Sequence, residues 1–219
     1  MTFSLLGRCA RTGQFGAAVT TSSLAVGSRV PFAEAGTGAI LTQHRTDPRL
    51  GPLGLSLLRA GCSAEETLAA LVASTPHHAW RQLAAMDRAG RTAHFHGARV
   101  RPALAAVHAP GCVALGNILA NDRIPSAMAE AFLAAEAEPL AERLVRALEA
   151  GEAAGGEGQP VVSAALLVVE REVFPLVDLR VDEAPAAIPA LRHLWDAYAP
   201  SVALFVTRAV DPDAAPGVS

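Results

Sequence analysis

Charge is scarce in this sequence, and long apolar runs are absent from it. Only 18% of the 219 residues are charged, the net charge is -3 and the pI is about 6.2. No stretch gathers Lys or Arg into a block. Nucleic acid is held by a concentrated basic face, so it is excluded as the main partner. The longest apolar run, Val161 to Val169, falls well short of the roughly 20 residues that span a bilayer, so it predicts a buried strand and no membrane partner. No cationic start with an apolar stretch and a cleavage site precedes the domain, which predicts a cytoplasmic protein.

Cysteine is equally sparse. Cys9, Cys62 and Cys112 are odd in number and in no CxxC spacing, the pattern of reduced core thiols. HExxH, GxSxG and P-loop patterns are missing, which removes the commonest zinc peptidase, α/β-hydrolase and nucleotide-hydrolase readings. The glycine-rich Gly151 to Gly158 follows a predicted helix, so no helix N-terminus points from it at an anion; it predicts a flexible connector.

What the chain does have is apolar bulk, 51% hydrophobic residues with many alanines. That supports a large core in one domain over residues 1–210, with 211–219 a flexible tail, and extra apolar surface buried in a homo-oligomer. Residues 2–9 and 14–22 are small and apolar around the turn Arg11-Thr12-Gly13-Gln14, a hairpin. Val26 to Pro31 reads as a bend and Ala39 to Gln43 as a strand. A helix follows Asp47-Pro48, with Leu53, Leu57 and Leu58 at helical spacing and Gly61 as its stop, and Ser63-Ala64-Glu65-Glu66 is the capping box of the next.

Trp80 to Met86 and Arg91 to His96 predict a second hairpin, and Gly111 to Leu115 a short strand. Ile124, Met128 and Phe132 mark one helix, and Leu140, Leu144, Val145 and Leu148 another. Val161 to Val169 pairs with Leu176 to Val181, and a last helix covers roughly Ala186 to Tyr198. Hairpins dominate and helices come in pairs, so the architecture predicted is α+β, a four-layer αββα sandwich of two mainly antiparallel sheets.

Chemistry centres first on Met1-Thr2. Loss of Met1 would give Thr2 a hydroxyl nucleophile and a free α-amine on one residue, and an amine titrating near 7.7 to 8.0 can take the hydroxyl proton. An ordinary strand start is the commoner meaning of Met-Thr. Asn117 and Asn121 bracket an apolar pair at a strand end. Their NH2 groups could face an oxyanion and their carbonyls hold an amine; turn and capping roles are the alternative. Arg29, alone in a glycine-flanked bend, could clamp a substrate carboxylate, or be a plain surface arginine. Gln43 ends a strand neighbouring that of Thr2, and Ser163 interrupts an apolar strand; either could be a satisfied core polar group. His94 and His96 share a strand face as a possible metal pair, but no acidic or cysteine ligand is close in sequence, so no metal is assigned.

Met1-Thr2-Phe3-Ser4, Val26-Gly27-Ser28-Arg29-Val30-Pro31, Thr42-Gln43, Gly116-Asn117-Ile118-Leu119, Leu140-Ala141-Glu142-Arg143-Leu144 and Ser163-Ala164-Ala165-Leu166-Leu167-Val168 occur in that order. Together they resemble the bacterial family catalogued as domain of unknown function 1028, placed with the N-terminal nucleophile (Ntn) hydrolases. The resemblance runs from Thr2 to about Leu194. It implies an Ntn-hydrolase-like αββα sandwich, removal of Met1 and Thr2 as nucleophile. The family has no settled substrate. This chain departs from the family pattern at Val162-Ser163, where relatives carry a glutamine before the serine, and at Asp182-Glu183-Ala184, where they carry an acidic residue followed by histidine.

The expected function is an N-terminal-threonine amidohydrolase acting on a small non-protein amide, with no metal or organic cofactor. Asn117 or Asn121 would steady the oxyanion, Arg29 and Gln43 would position amine or substrate, and Ser163 would tune the amine. A noncatalytic binding or scaffold oligomer of the same fold is the competing expectation. A cysteine hydrolase using Cys9 or Cys112 ranks behind both, because both lie in apolar strand segments without a sequence partner.

Overall fold

The computed structural model describes residues 1–216. Ten strands and six α-helices follow one another along the chain: β1 (Thr2–Arg8), β2 (Phe15–Thr21), β3 (Pro31–Glu34), β4 (Gly38–Gln43), α1 (Leu50–Arg59), α2 (Ala64–Ala73), β5 (Gln82–Met86), β6 (Thr92–His96), β7 (Leu104–Ala109), β8 (Cys112–Asn117), α3 (Ile124–Ala134), α4 (Leu140–Ala153), β9 (Ser163–Val169), β10 (Val177–Val181), α5 (Ala187–Tyr198) and α6 (Val202–Val210). The strands form a six-stranded sheet in the order β10-β9-β2-β1-β8-β7 and a four-stranded sheet in the order β3-β4-β5-β6. Every pairing is antiparallel.

Strand alternation builds the layers. On β1, Phe3 and Leu5 join the core beneath α3 and α4, while Leu6 joins a second core between the sheets with Phe15, Val19, Leu41, Met86 and Leu115. A third core seats α1 and α2 on the smaller sheet through Ile40, Leu58, Leu68, Leu71 and Leu83. The result is an α+β, four-layer αββα sandwich, as the sequence predicts. Gly7 and Gly16 pair across β1 and β2, and a Cβ on either would come within 2.7 Å of Phe132 or Leu144. The bare pair of glycines is what lets α3 and α4 lie against the sheet.

Three elements differ from expectation. β3 occupies Pro31–Glu34, directly after the predicted bend; β7 is a strand the sequence did not reveal; and α6 follows α5 through a 3₁₀ turn at Ala199–Ser201. Gly151 lies inside α4, and the glycine-rich stretch behind it is tied down by Gly156 N–H donating to the Gly151 carbonyl and Ala120 N–H to the Gly156 carbonyl, so it is a bonded turn. Of the expected tail, Pro212–Ala214 forms a 3₁₀ turn, and residues 217–219 lie outside the described residues. Cys9 and Cys112 are buried free thiols, while Cys62 is half-exposed. No helix among the described residues is long and apolar enough to cross a membrane.

Candidate functional site

The space between the sheets is apolar through most of its length and polar at one end. Thr2 opens β1, Ser163 opens β9 and Gln82 opens β5, while Thr21, Gln43 and Asn117 close β2, β4 and β8. Antiparallel pairing gathers four of these ends in the larger sheet and two in the smaller, and packing of the sheets sets the two groups face to face. Thr2 pairs in register with Asn117, Thr21 with Ser163, and Gln43 with Gln82.

A chain of buried side-chain amides crosses from one sheet to the other. Ser4 Oγ donates to Gln43 Oε1 at 2.8 Å, Gln43 Nε2 to Gln82 Oε1 at 2.6 Å, and Asn117 Nδ2 to the same Gln82 Oε1 at 2.7 Å. Gln82 Nε2 donates to the Gly116 carbonyl at 2.7 Å. A carbonyl can only accept, so that bond fixes which end of Gln82 is nitrogen, and hence which ends of Gln43 and Asn117 must donate to it. The other Gln82 N–H meets His96 Nε2 at 3.0 Å, which makes that ring nitrogen an acceptor. Burial, aided by the neighbouring His94, pushes His96 down to about 4, which keeps it in the accepting form. Gln43 therefore reaches Thr2's strand from the opposite sheet; it does not sit beside it in the same one.

This polarity leaves one atom over. Asn117 is 1% exposed and its Oδ1 is buried with no partner. A buried unpaired acceptor is costly, about 1–3 kcal/mol, and calls for an explanation. Asn117 lines a cleft of about 430 Å³, together with Met1, Thr2, Thr21, Ser23 and Arg29 among others. Thr2 is 7% exposed. Its Oγ1 lies 3.3 Å from Thr21 Oγ1 and donates to the Met1 carbonyl at 2.5 Å, and Thr21 Oγ1 donates to that same carbonyl.

Arg29 is half-buried and spends its guanidinium on Leu24 O at 2.5 Å, Ala25 O at 2.7 Å and Ser23 Oγ at 2.8 Å. Burial lowers its basicity from the ordinary arginine value. Ser163 stands behind the same loop: its Oγ donates to Ser23 O at 2.6 Å and accepts Val26 N–H at 3.1 Å. Ser163 thus shapes the wall of the cleft and is not one of its lining residues.

Asn121 is elsewhere. Its Nδ2 donates to Ala154 O at 2.8 Å and its Oδ1 accepts Arg123 N–H at 3.0 Å, so both ends tie the start of α3 to the end of α4. The structure thus brings Thr2, Asn117 and Arg29 into one cleft, sets Gln43 and Ser163 in its supporting shell, and leaves Asn121 out.

Sequence reasoning missed Thr21, Gln82 and Glu157. Glu157, in the glycine-rich turn, is 4% exposed; its Oε2 accepts Ser22 N–H at 3.0 Å and its Oε1 is buried without a partner. Burial pushes its carboxyl up to about 7, against the pull of the N-terminal ammonium and of Ser22. An acid flanked by glycines on both sides and an amide at the head of an apolar strand were the available signals.

The histidines of the second hairpin meet the edge of the other sheet. His94 Nδ1 lies 2.7 Å from His108 Nε2, and His108 Nδ1 lies 2.6 Å from Thr92 Oγ1. Among the described residues no group of three His, Cys, Asp or Glu is placed to hold a metal ion.

Backbone strain marks the same cleft. Among the described residues four that are not glycine have positive φ: Ala25 at 52°, His44 at 54°, Arg45 at 45° and Ile118 at 55°. His44, Arg45 and Ile118 line the cleft, and Ala25 starts the turn that carries Arg29. Such conformations cost on the order of 1–3 kcal/mol each and gather at functional sites.

Protein SPO2555 from Silicibacter pomeroyi, a crystal structure of the family DUF1028, shares 34% identity, covers 90% of this chain and 88% of its own, and superposes with a TM-score of 0.84. Anbu (ancestral beta-subunit) from Yersinia bercovieri shares 12% identity over 99% of each chain, with a TM-score of 0.40. The comparison with curated proteins gives no match. The model of the family of unknown function DUF1028 matches residues 2–191, and the chain belongs to that family.

Proposed function

We propose that this protein is an Ntn-type hydrolase that cleaves a small non-protein amide, with Thr2 as nucleophile once Met1 has left. The observation that carries this reading is the hydroxyl of Thr2 at the head of β1, in a cleft, with a second hydroxyl beside it and one peptide carbonyl held by both. In the mechanism the α-amine of Thr2 takes the hydroxyl proton, and Oγ1 attacks the amide carbonyl carbon. Thr21 Oγ1, which already donates to a carbonyl oxygen in this position, supports the developing oxyanion. Asn117 Oδ1 accepts from an amine or amide N–H. The proton passes to the leaving nitrogen as the C–N bond breaks, and water then cleaves the ester, releasing the acid and restoring the hydroxyl. These steps call on no metal or organic cofactor.

A second reading has its own observation. While Met1 remains, it lines the cleft and its carbonyl engages both hydroxyls, so a chain that keeps Met1 is a binding or scaffold protein of the same fold. Intact mass of the untagged protein separates the two, because full retention of Met1 removes the mechanism. The sequence contains no lysine, so an amine-directed acylating agent reports on the α-amine alone. An amide-like electrophile should modify Thr2 in the processed protein. Thr2→Ala should abolish turnover of any substrate found and leave the melting temperature nearly unchanged; retained activity would exclude Thr2. The homo-oligomer remains part of the proposal, and Phe205 and Val210, exposed on α6, are the surface to monitor by sedimentation.

A further inference from the structure

The chemistry of the cleft rim says more about the substrate than the nucleophile does. Arg29, Arg45, Arg101 and His44 line it, and no Asp or Glu does. Arginine is the only basic side chain of high pKa in the sequence, and the fold pairs only part of the set: Arg49, Arg59, Arg81, Arg91, Arg146, Arg180 and Arg192 each have a carboxylate within 4.0 Å. Among the described residues Arg29, Arg45 and Arg101 have none. Clefts lined by one sign of charge concentrate ligands of the other sign.

Arg45 is also held in place without being neutralised. The Arg45 guanidinium lies 4.5 Å from the centre of the Trp80 ring, a cation–π contact that fixes direction and leaves the charge free. His44 stacks on the same ring system at 6.4 Å, and its Nδ1 meets the Trp80 carbonyl at 2.9 Å. The Arg101 backbone N–H donates to His44 Nε2 at 3.4 Å, which sets that stretch of backbone beside His44 and leaves the Arg101 guanidinium free. His44 and Arg45 both have positive φ in the turn that follows β4.

We infer that the cleft takes an amide that also carries a carboxylate, with Arg45 and Arg101 holding the carboxylate while Asn117 Oδ1 accepts from the amide nitrogen. Arg29 adds charge from the cleft wall, its hydrogen bonds being spent on the loop. Carboxylate is preferred to phosphate because no α-helix begins among the lining residues, whereas phosphate sites draw on helix N-terminal N–H groups. The inference rests on Thr2 being the nucleophile only for which bond reacts. Recognition of the charge stands apart from it.

The test is therefore binding, done on Thr2→Ala protein so that turnover plays no part. Calorimetry compares N-acetyl amino acids with uncharged side chains, from glycine to glutamine, each with its own uncharged carboxamide. The carboxylates should bind at least about tenfold more tightly, and the preference should shrink between 50 and 300 mM salt by screening, as exposed ion pairs require. Arg45→Gln with Arg101→Gln should erase the preference. Arg123→Gln, an exposed arginine outside the cleft, should keep it. Circular dichroism confirms that each variant is folded. Equal binding of the two members of every pair, or no binding by any carboxylate, overturns the inference and leaves the Thr2 mechanism standing. A carboxylate preference with no labelling of Thr2 keeps the inference and removes the mechanism.

Discussion

Replacing Glu157 by Gln should make the protein more stable at pH 8 and leave it unchanged at pH 4.5. The carboxyl is 4% exposed, and burial raises it from its ordinary 4.5 to about 7. For a group raised in the folded state, stability is complete below the unfolded value and is lost as pH rises through the folded one. The window here runs from pH 4.5 to about 7. At 1.36 kcal/mol per pH unit the loss is about 3 kcal/mol. In a chain of this size 1 kcal/mol moves the melting temperature by about 2–4 °C, so the variant should gain about 6–12 °C on the wild type by pH 8. The Glu157→Gln side chain would still offer an oxygen to Ser22 N–H, so little else changes. Melting both proteins every half unit from pH 4.5 to 8, and plotting the difference, cancels titrations the two share. A difference that stays flat across the window would refute the reasoning, since it would mean that the carboxylate is solvated or fully paired.

Two further predictions concern the amide chain. Gln82→Leu strands the Gly116 carbonyl, the Asn117 and Gln43 NH2 groups and His96 at once, so it should cost several kcal/mol, at about 1–3 kcal/mol for each unpaired buried group. Urea unfolding measures it, and a loss below about 1 kcal/mol would show the chain to be replaceable by water. His96 is lowered by burial from 6.5 to about 4, so its contribution is present above 6.5 and is lost as pH falls toward 4; His96→Gln should flatten that acid limb in a wild-type-minus-variant melting series.

Much of the fold is legible in the sequence because the signals are local. The Ser63 capping box forms as written, with Ser63 Oγ accepting Glu66 N–H and the Glu66 carboxylate accepting Ser63 N–H. The β1–β2 hairpin and the stripes of α3 and α4 are equally direct. β7 escaped because Leu104–Ala109 is mostly small residues, half-exposed on a sheet edge, where alternation is weak. β3 has only four residues after a bend, and Pro200 disguised the continuation from α5 into α6. For the site, the sequence could place Thr2 and Asn117 each at a strand end. It could not say that six strand ends converge, which depends on antiparallel pairing between segments as far apart as residues 21 and 163 and on the packing of one sheet against the other.

That convergence explains why the site is where it is. Between the sheets, apolar side chains fill the layer from Leu6 to Met86, and such a layer tolerates polar groups only where they can be paired. Ser4, Gln43, Gln82 and Asn117 pair one another almost to completion. The acceptor they leave over, Asn117 Oδ1, belongs to the residue in register with Thr2, and Ile118 immediately after it is bent to a φ of 55°. A β-branched residue in that conformation and a buried acceptor without a donor both work against folding. Folding alone would remove them with a glycine and a leucine. Their presence side by side, at the residue facing position 2, is what a ligand donor at Asn117 would account for, and it makes this end of the sandwich the place to look for chemistry.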